Sequence, residues 1–232
     1  MCERYALHHT PQLLQQWYGA AHVCEFLPHS SLIPGADVPV VRGGKDGRIM
    51  ETMQWGFIPS WVDTPTCSLI LSNARSETAA EKPMFRQAFR QRRCLIPASG
   101  FYLWRNATRL RPRQLYYVSR VDEAPMSFAG LWEATTSASG ETITYCAIVT
   151  GRATPELETV QPRMPVLLDP EHWDGWLNAG EDVPQLRALL QSAQGGRLQL
   201  REVDDSEEST PPPVPDRLAP AAASSCAPPC PP

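Results

Sequence analysis

Apolar residues in this chain alternate with polar ones over short runs and take up helical spacing in only a few places. DVPVV (37–41), METMQWGF (50–57), RCLIPA (93–98), GFYLWR (100–105), QLYYVSR (114–120), SFAGLWEA (127–134), ITYCAIVT (143–150) and RMPVLL (163–168) read as strands, as does 197–203. Gly, Pro, Asn and Asp punctuate these runs. Residues 10–21 predict a helix, with Thr10 as N-cap, Pro11 in the first turn and Leu13, Leu14 and Trp17 on one face. A second helix is predicted over 81–92, where Met84, Phe85, Ala88 and Phe89 share a face ringed by Arg86, Arg90, Arg92 and Arg93. Two more are expected near 170–178 and 183–193. With no internal repeat and no linker before residue 204, the chain predicts a single α+β domain over 1–205, built on a curved, partly barrel-like mixed β-sheet with peripheral helices. Residues 206–232 are rich in Pro, Ala and Ser with almost no large apolar side chain, and are expected to form a disordered acidic tail.

Composition narrows the class. The 232 residues are 42 % hydrophobic, enough for a proper core, and contain no apolar run approaching the length of about 20 residues that spans a bilayer. With no secretory pattern at the N-terminus, the expectation is a soluble cytoplasmic protein. Seven cysteines at irregular spacing argue against a disulfide framework and fit reduced thiols. The tail cysteines Cys226 and Cys230, and the scattered His8, His9, His22, His29 and His172, make no zinc signature.

The net charge of −4 conceals a strong polarity. Residues 204–232 carry five acids against Arg217, which accounts for the whole −4, so 1–203 is neutral. Within it, 48–113 holds eleven Lys and Arg against four Asp and Glu, and 114–203 holds six against twelve. A basic stretch interleaved with Trp55, Trp61 and Trp104 suits a phosphate backbone with stacked bases, and equally suits a solvated basic face balancing an acidic one.

Cys2 is the most distinctive candidate for chemistry. Removal of Met1 exposes an α-amine beside a thiol on one residue, with reference pKa values of roughly 8 and 8.5. Such an aminothiol condenses with an aldehyde through an imine and closes to a thiazolidine. Many chains begin Met-Cys without consequence, so position alone does not assign this role.

A longer set of motifs does more. MCERY at the start, QWGFIPSW (54–61), SNARSETAAEKPMFRQAFRQRRCLIPASGFYLW (72–104), FAGLWE (128–133), PRMPVLLDP (162–170) and HWDGWL (172–177) resemble the SOS response-associated peptidase (SRAP) family, in consistent order from residue 1 to about 177. The resemblance implies a protein that binds single-stranded or junction DNA and links covalently to an abasic site. Cys2 would form the thiazolidine with the ring-opened sugar aldehyde, and Asn73 would orient that aldehyde. Arg4, Arg75 and Arg163 would contact DNA, while Pro59 and Trp61 fall in the segment resembling the family's base-stacking wedge and Trp55 reads as core. Arg75 would share a sheet face with Asn73 if this piece is extended. Glu77 and Glu133 read as structural. No cofactor, metal or membrane is implied, and a monomer is expected.

Two positions depart from the family in ways that bear on mechanism. GFYLW places Leu103 where the resemblance expects a proton-transferring glutamate, and VQPRMP places Gln161 where it expects a histidine. Neither replacement titrates, and general acid–base assistance is typically worth about 10²–10⁴ in rate. Glu3 sets an anion beside Cys2, Ser31 stands where an asparagine is expected, and VDDSEES (203–209) is acidic where the family is not. Three readings compete: a slow abasic-site crosslinker working through Cys2, Asn73 and Arg75; a non-catalytic single-strand or junction binder; and a regulatory protein that has lost DNA binding. The joint survival of Cys2, Arg4, Asn73, Arg75 and Arg163 favours the first.

Overall fold

Strands β10 (Met126–Thr136) and β11 (Thr142–Arg152) pair antiparallel over seven register positions and form the wall from which a barrel closes. In the computed structural model, which describes residues 2–62, 70–107, 112–136, 140–178, 180–192 and 196–204, β10 pairs on its other side with β7 (Arg93–Ala98). Beyond β7 come β4 (Asp37–Gly44) and β5 (Gly47–Trp55), and β5 returns to β11 in parallel at Tyr145↔Gln54 and Cys146↔Trp55. The expected partly barrel-like sheet is thus a closed five-stranded barrel. Met50, Met53, Trp55, Cys94, Ile96, Phe128, Cys146 and Ile148 are among its buried residues. Gly130 is part of the packing: a Cβ there would lie 2.7 Å from the Cys94 sulfur, a position no side chain can take without displacing that thiol.

β11 outlasts its barrel partners, and the extra length positions the candidate site. Where β5 ends, β6 (Asn73–Arg75) takes its place in parallel, at Ile148↔Asn73, Val149↔Ala74 and Thr150↔Arg75. On the opposite edge β12 (Arg163–Pro165) pairs antiparallel, at Thr150↔Pro165 and Arg152↔Arg163.

A second, antiparallel sheet has the order β13 (Leu198–Val203), β9 (Gln114–Arg120), β8 (Gly100–Arg105), β1 (Tyr5–Leu7) and β3 (His29–Leu32). β7 runs into β8 through Ser99, so one length of chain serves both sheets, and the Ser99 N–H donates to Ala6 O at 2.7 Å. At the corner Gly100 lies under the Tyr117 ring; a Cβ would stand 2.4 Å from that ring and 2.6 Å from Val118 O.

The helices are peripheral, as expected: α1 (Pro11–Tyr18), α2 (Arg86–Gln91), α3 (Pro155–Glu158), α4 (Pro170–Asn178) and α5 (Val183–Ser192). Thr10 caps α1 by accepting the Leu13 N–H at 3.3 Å, and Gly19 stops it in the left-handed region at φ 58°. The helix expected over 10–21 therefore ends at Tyr18, and Ala20–His22 forms a short strand instead. Two further predicted elements are shorter than their patterns. The helix expected over 81–92 forms only at 86–91, because Pro83 has no N–H and disfavours helical backbone at Lys82; turns joined by Ala79 N–H to Arg75 O (2.8 Å) and Lys82 N–H to Thr78 O (3.0 Å) precede it. The strand expected over 163–168 pairs with β11 only as far as Pro165, followed by a single bridge from Leu167 to Phe128. Among the described residues no helix is long and apolar enough to cross a membrane. The expected tail, 206–232, lies outside the described residues.

Candidate active site

The packing of Trp55 fixes the site's floor. This indole is fully buried, as expected of core, and its Nε1–H donates to Ser72 O at 2.9 Å, which sets the residue just before β6. β6 is extended, so Asn73 and Arg75 share a face as the sequence suggested. The Asn73 amide then donates twice through Nδ2, to Cys2 O at 2.7 Å and to Ser72 Oγ at 3.0 Å. Two residues 71 positions apart are thereby brought together, and the backbone of Cys2 is tied to the end of β6.

Cys2 itself is fully buried, with its thiol 3.8 Å from Arg4 O. Burial pushes the thiol up to about 12, and the nearby Glu3 carboxylate acts in the same direction. The thiol is therefore held protonated at neutral pH. Arg4 lies with its guanidinium 4.5 Å from the centre of the Tyr102 ring, and the Tyr102 hydroxyl donates to Ser30 O at 3.0 Å.

The remaining candidates divide. Arg75 is exposed on β6 beside Thr150. Arg163 on β12 is held by a bidentate pair to Glu77 (3.0 and 2.9 Å) and donates to Thr150 O at 2.6 Å. That hydrogen-bonded pair holds the Glu77 carboxyl below its ordinary range, and the ionised carboxylate offsets the Arg163 charge. Trp61 presents 61 % of its surface to solvent, the exposure a stacking wedge needs. Pro59 is not beside it in that role: it is buried, with its carbonyl accepting the Val62 N–H at 3.0 Å in a turn, so it offers no face to a base.

The substituted positions are apolar or neutral in place as well as in sequence. Leu103 is 1 % exposed and belongs to the main core. Gln161 follows α3, with its N–H on Leu157 O at 2.9 Å.

Thr150 escaped the reading of the sequence, because a threonine inside ITYCAIVT signals nothing beyond strand propensity. It is fully buried between β6 and β12, and its hydroxyl has no hydrogen-bond partner; the same holds for Asn73 Oδ1 and Arg163 Nε. Three polar side-chain atoms on three neighbouring strands are thus without a hydrogen-bond partner within the described protein. Away from it, Asp169, Glu171 and His172 lie within reach of one another at the start of α4, where Asp169 also faces Arg120 at 3.6 Å.

The chain resembles known proteins in family, sequence and fold. The family model described as SOS response associated peptidase (SRAP) matches residues 1–208. The chain is 29 % identical over 214 residues to the abasic site processing protein YoqW of Bacillus subtilis, covering 88 % of this chain and 92 % of that one. It is 31 % identical over 171 residues to the abasic site processing protein YoaM of the same organism, covering 72 % and 73 %. A crystal structure of a protein from Bacteroides thetaiotaomicron superposes with a TM-score of 0.77 at 21 % identity, over 88 % of this chain and 93 % of that one, and shares the fold.

Proposed function

The chain belongs to the SOS response-associated peptidase family, and on that footing we propose that it processes abasic sites, binding single-stranded or junction DNA and joining the lesion covalently through Cys2. The observation that carries this reading is the Asn73 amide on the Cys2 carbonyl, which holds residue 2 against a strand whose next outward residue is Arg75.

The chemistry follows from an N-terminal cysteine once Met1 is removed. The Cys2 amine adds to the aldehyde carbon of the ring-opened sugar, and loss of one water leaves an imine. The sulfur then adds to the imine carbon while the thiol proton passes to the nitrogen, closing a five-membered thiazolidine. The amine makes the first bond, so a thiol held protonated by burial does not block that step. In this reading Asn73 Oδ1 and the Thr150 hydroxyl, both buried without a partner, meet the sugar hydroxyl groups, and Arg75 supplies a cation for a flanking phosphate. Leu103 and Gln161 supply no proton, so the reaction is slow, and the adduct is long-lived because reversal lacks the same assistance.

Intact-protein mass spectrometry after incubation with a single-stranded oligonucleotide bearing one abasic site tests this reading. A Cys2-dependent species at the summed mass less one water is expected, absent in Cys2→Ala. A chain already lacking Met1 that gives no adduct overturns it. The burial of both Leu103 and the Cys2 thiol favours a second reading, a binder without the reaction. It predicts equal DNA affinity for wild type and Cys2→Ala and no adduct from either. A third, regulatory reading predicts no salt-sensitive DNA binding.

A further inference from the structure

Between β12, the end of β11 and α5 lies a cleft of about 470 Å³ that the lesion chemistry does not use. Gly151 and its register partner Met164 line it, each one residue along its strand from Thr150 and Arg163. Successive strand residues face opposite sides of a sheet, so the cleft backs onto the strands that carry those two groups. Its volume falls within the range of small-molecule sites, about 300–1,000 Å³.

Two kinds of surface meet in it. Met164, Val166, Leu167 and Leu190 are buried and supply an aliphatic wall, and among the described residues no aromatic ring lines the cleft. Gly151 keeps this wall open: a Cβ there would lie 3.2 Å from the Val166 side chain and 3.6 Å from Ser76 Oγ. The charged groups of the lining are Glu77, Arg152 and Arg187. Glu77 is engaged by Arg163 in the bidentate pair. Arg187 donates to Glu81 at 2.6 Å through Nη2, while its Nε–H is buried without an acceptor. Arg152 is exposed and has no ion-pair partner among the described residues. One unneutralised cation and one idle guanidinium N–H therefore border an aliphatic wall.

We propose that this cleft binds a small aliphatic carboxylate, its anionic end on Arg152 and Arg187 and its alkyl chain against Met164, Val166 and Leu190. A single unneutralised cation matches a monoanion better than a doubly charged phosphate, whose second charge would enter an apolar setting unpaired. An alkyl chain matches the wall, which offers no ring on which an aromatic group or a nucleobase would stack. Binding here needs no DNA, so this site and the abasic-site reading fail independently of each other.

The test uses the full chain carrying 13C-methyl methionine, with the Met164 resonance assigned from Met164→Leu. Sodium hexanoate is titrated beside hexan-1-ol and hexylammonium chloride at matched ionic strength. For a ligand of about eight non-hydrogen atoms, a saturable shift at Met164 with a Kd of roughly 1–5 mM is expected from hexanoate. Hexanol and hexylammonium should bind about tenfold more weakly. Arg152→Gln combined with Arg187→Gln should weaken hexanoate by about tenfold and leave hexanol unchanged, which a merely structural role for these arginines would not give. Arg152→Lys keeps the charge and should stay within about threefold of wild type. An unliganded methionine spectrum like that of wild type shows each variant to be folded. Hexanoate that does not saturate by about 50 mM overturns the proposal, as does a shift confined to methionines other than Met164. Equal affinity for hexanoate and hexanol, or an arginine-to-glutamine pair that binds hexanoate as wild type does, overturns it as well.

Discussion

Asn73 holds Cys2 by its main chain: the amide on β6 donates to the Cys2 carbonyl at 2.7 Å, and its own carbonyl oxygen is buried without a partner. The side chain thus both fixes residue 2 and keeps an acceptor oxygen unengaged. Asn73→Ala removes both functions, and losing a hydrogen bond in a partly buried setting costs about 1–3 kcal/mol. Adduct formation measured by gel shift under denaturing conditions is expected to slow by about tenfold or more. The thermal midpoint should fall by about 2–4 °C for each kcal/mol lost, while main-chain pairing with β11 keeps β6 in place.

Burial of the Cys2 thiol sets its reactivity toward reagents other than the lesion. With the thiol pushed up to about 12 from an ordinary 9.0, the thiolate is scarce at pH 8. Alkylation by iodoacetamide, followed by peptide mass spectrometry, should label the half-buried Cys24 well before Cys2, Cys94 or Cys146. Unfolding in denaturant should raise the Cys2 rate at least about a hundredfold.

Leu103 occupies a core position on β8, and a carboxyl introduced there enters a low-dielectric setting. Leu103→Glu is expected to raise the crosslinking rate by about 10²-fold, since a buried carboxyl stays protonated near neutral pH and serves as a general acid. The same change should lower stability by about 1–3 kcal/mol. Single-turnover kinetics and denaturant unfolding measure the two effects on one preparation.

His9 connects stability to pH. It is 2 % exposed between β1 and α1, its Nδ1 lies 2.8 Å from Ser99 Oγ, and burial lowers it from 6.5 to about 4. The unfolded chain therefore binds this proton more readily than the folded one. The contribution of the neutral imidazole is fully present above pH 6.5 and is lost as pH falls toward 4, up to about 3 kcal/mol. Urea unfolding at pH 7.5 and pH 4.5 should show that loss, and His9→Gln should reduce the difference between the two.

The strand runs, the N-cap of α1 and the motif residues were legible in the sequence because each depends on spacing within a few residues. Thr10 and Gly19 bound α1 by local hydrogen bonding and backbone preference, and Pro83 shortened α2 by the same kind of local rule. The strands of three or four residues, β1, β2 (Ala20–His22), β3 and β6, are too short to carry a period. Their pairing exists only because longer neighbours offer an edge.

What the sequence determined by itself was the chemical inventory: an aminothiol precursor at Cys2, an amide at Asn73, cations at 4, 75 and 163, and no titratable group at 103 or 161. Tertiary structure decided how that inventory is disposed. Closing the barrel through β5 and β11 brings Asn73 to Cys2 across 71 residues, sets Glu77 against Arg163, buries the Cys2 thiol and strands the Thr150 hydroxyl without a partner. These are consequences of strand register between segments far apart in the chain, and the periodicity of one segment holds no information about which edge of another it will meet.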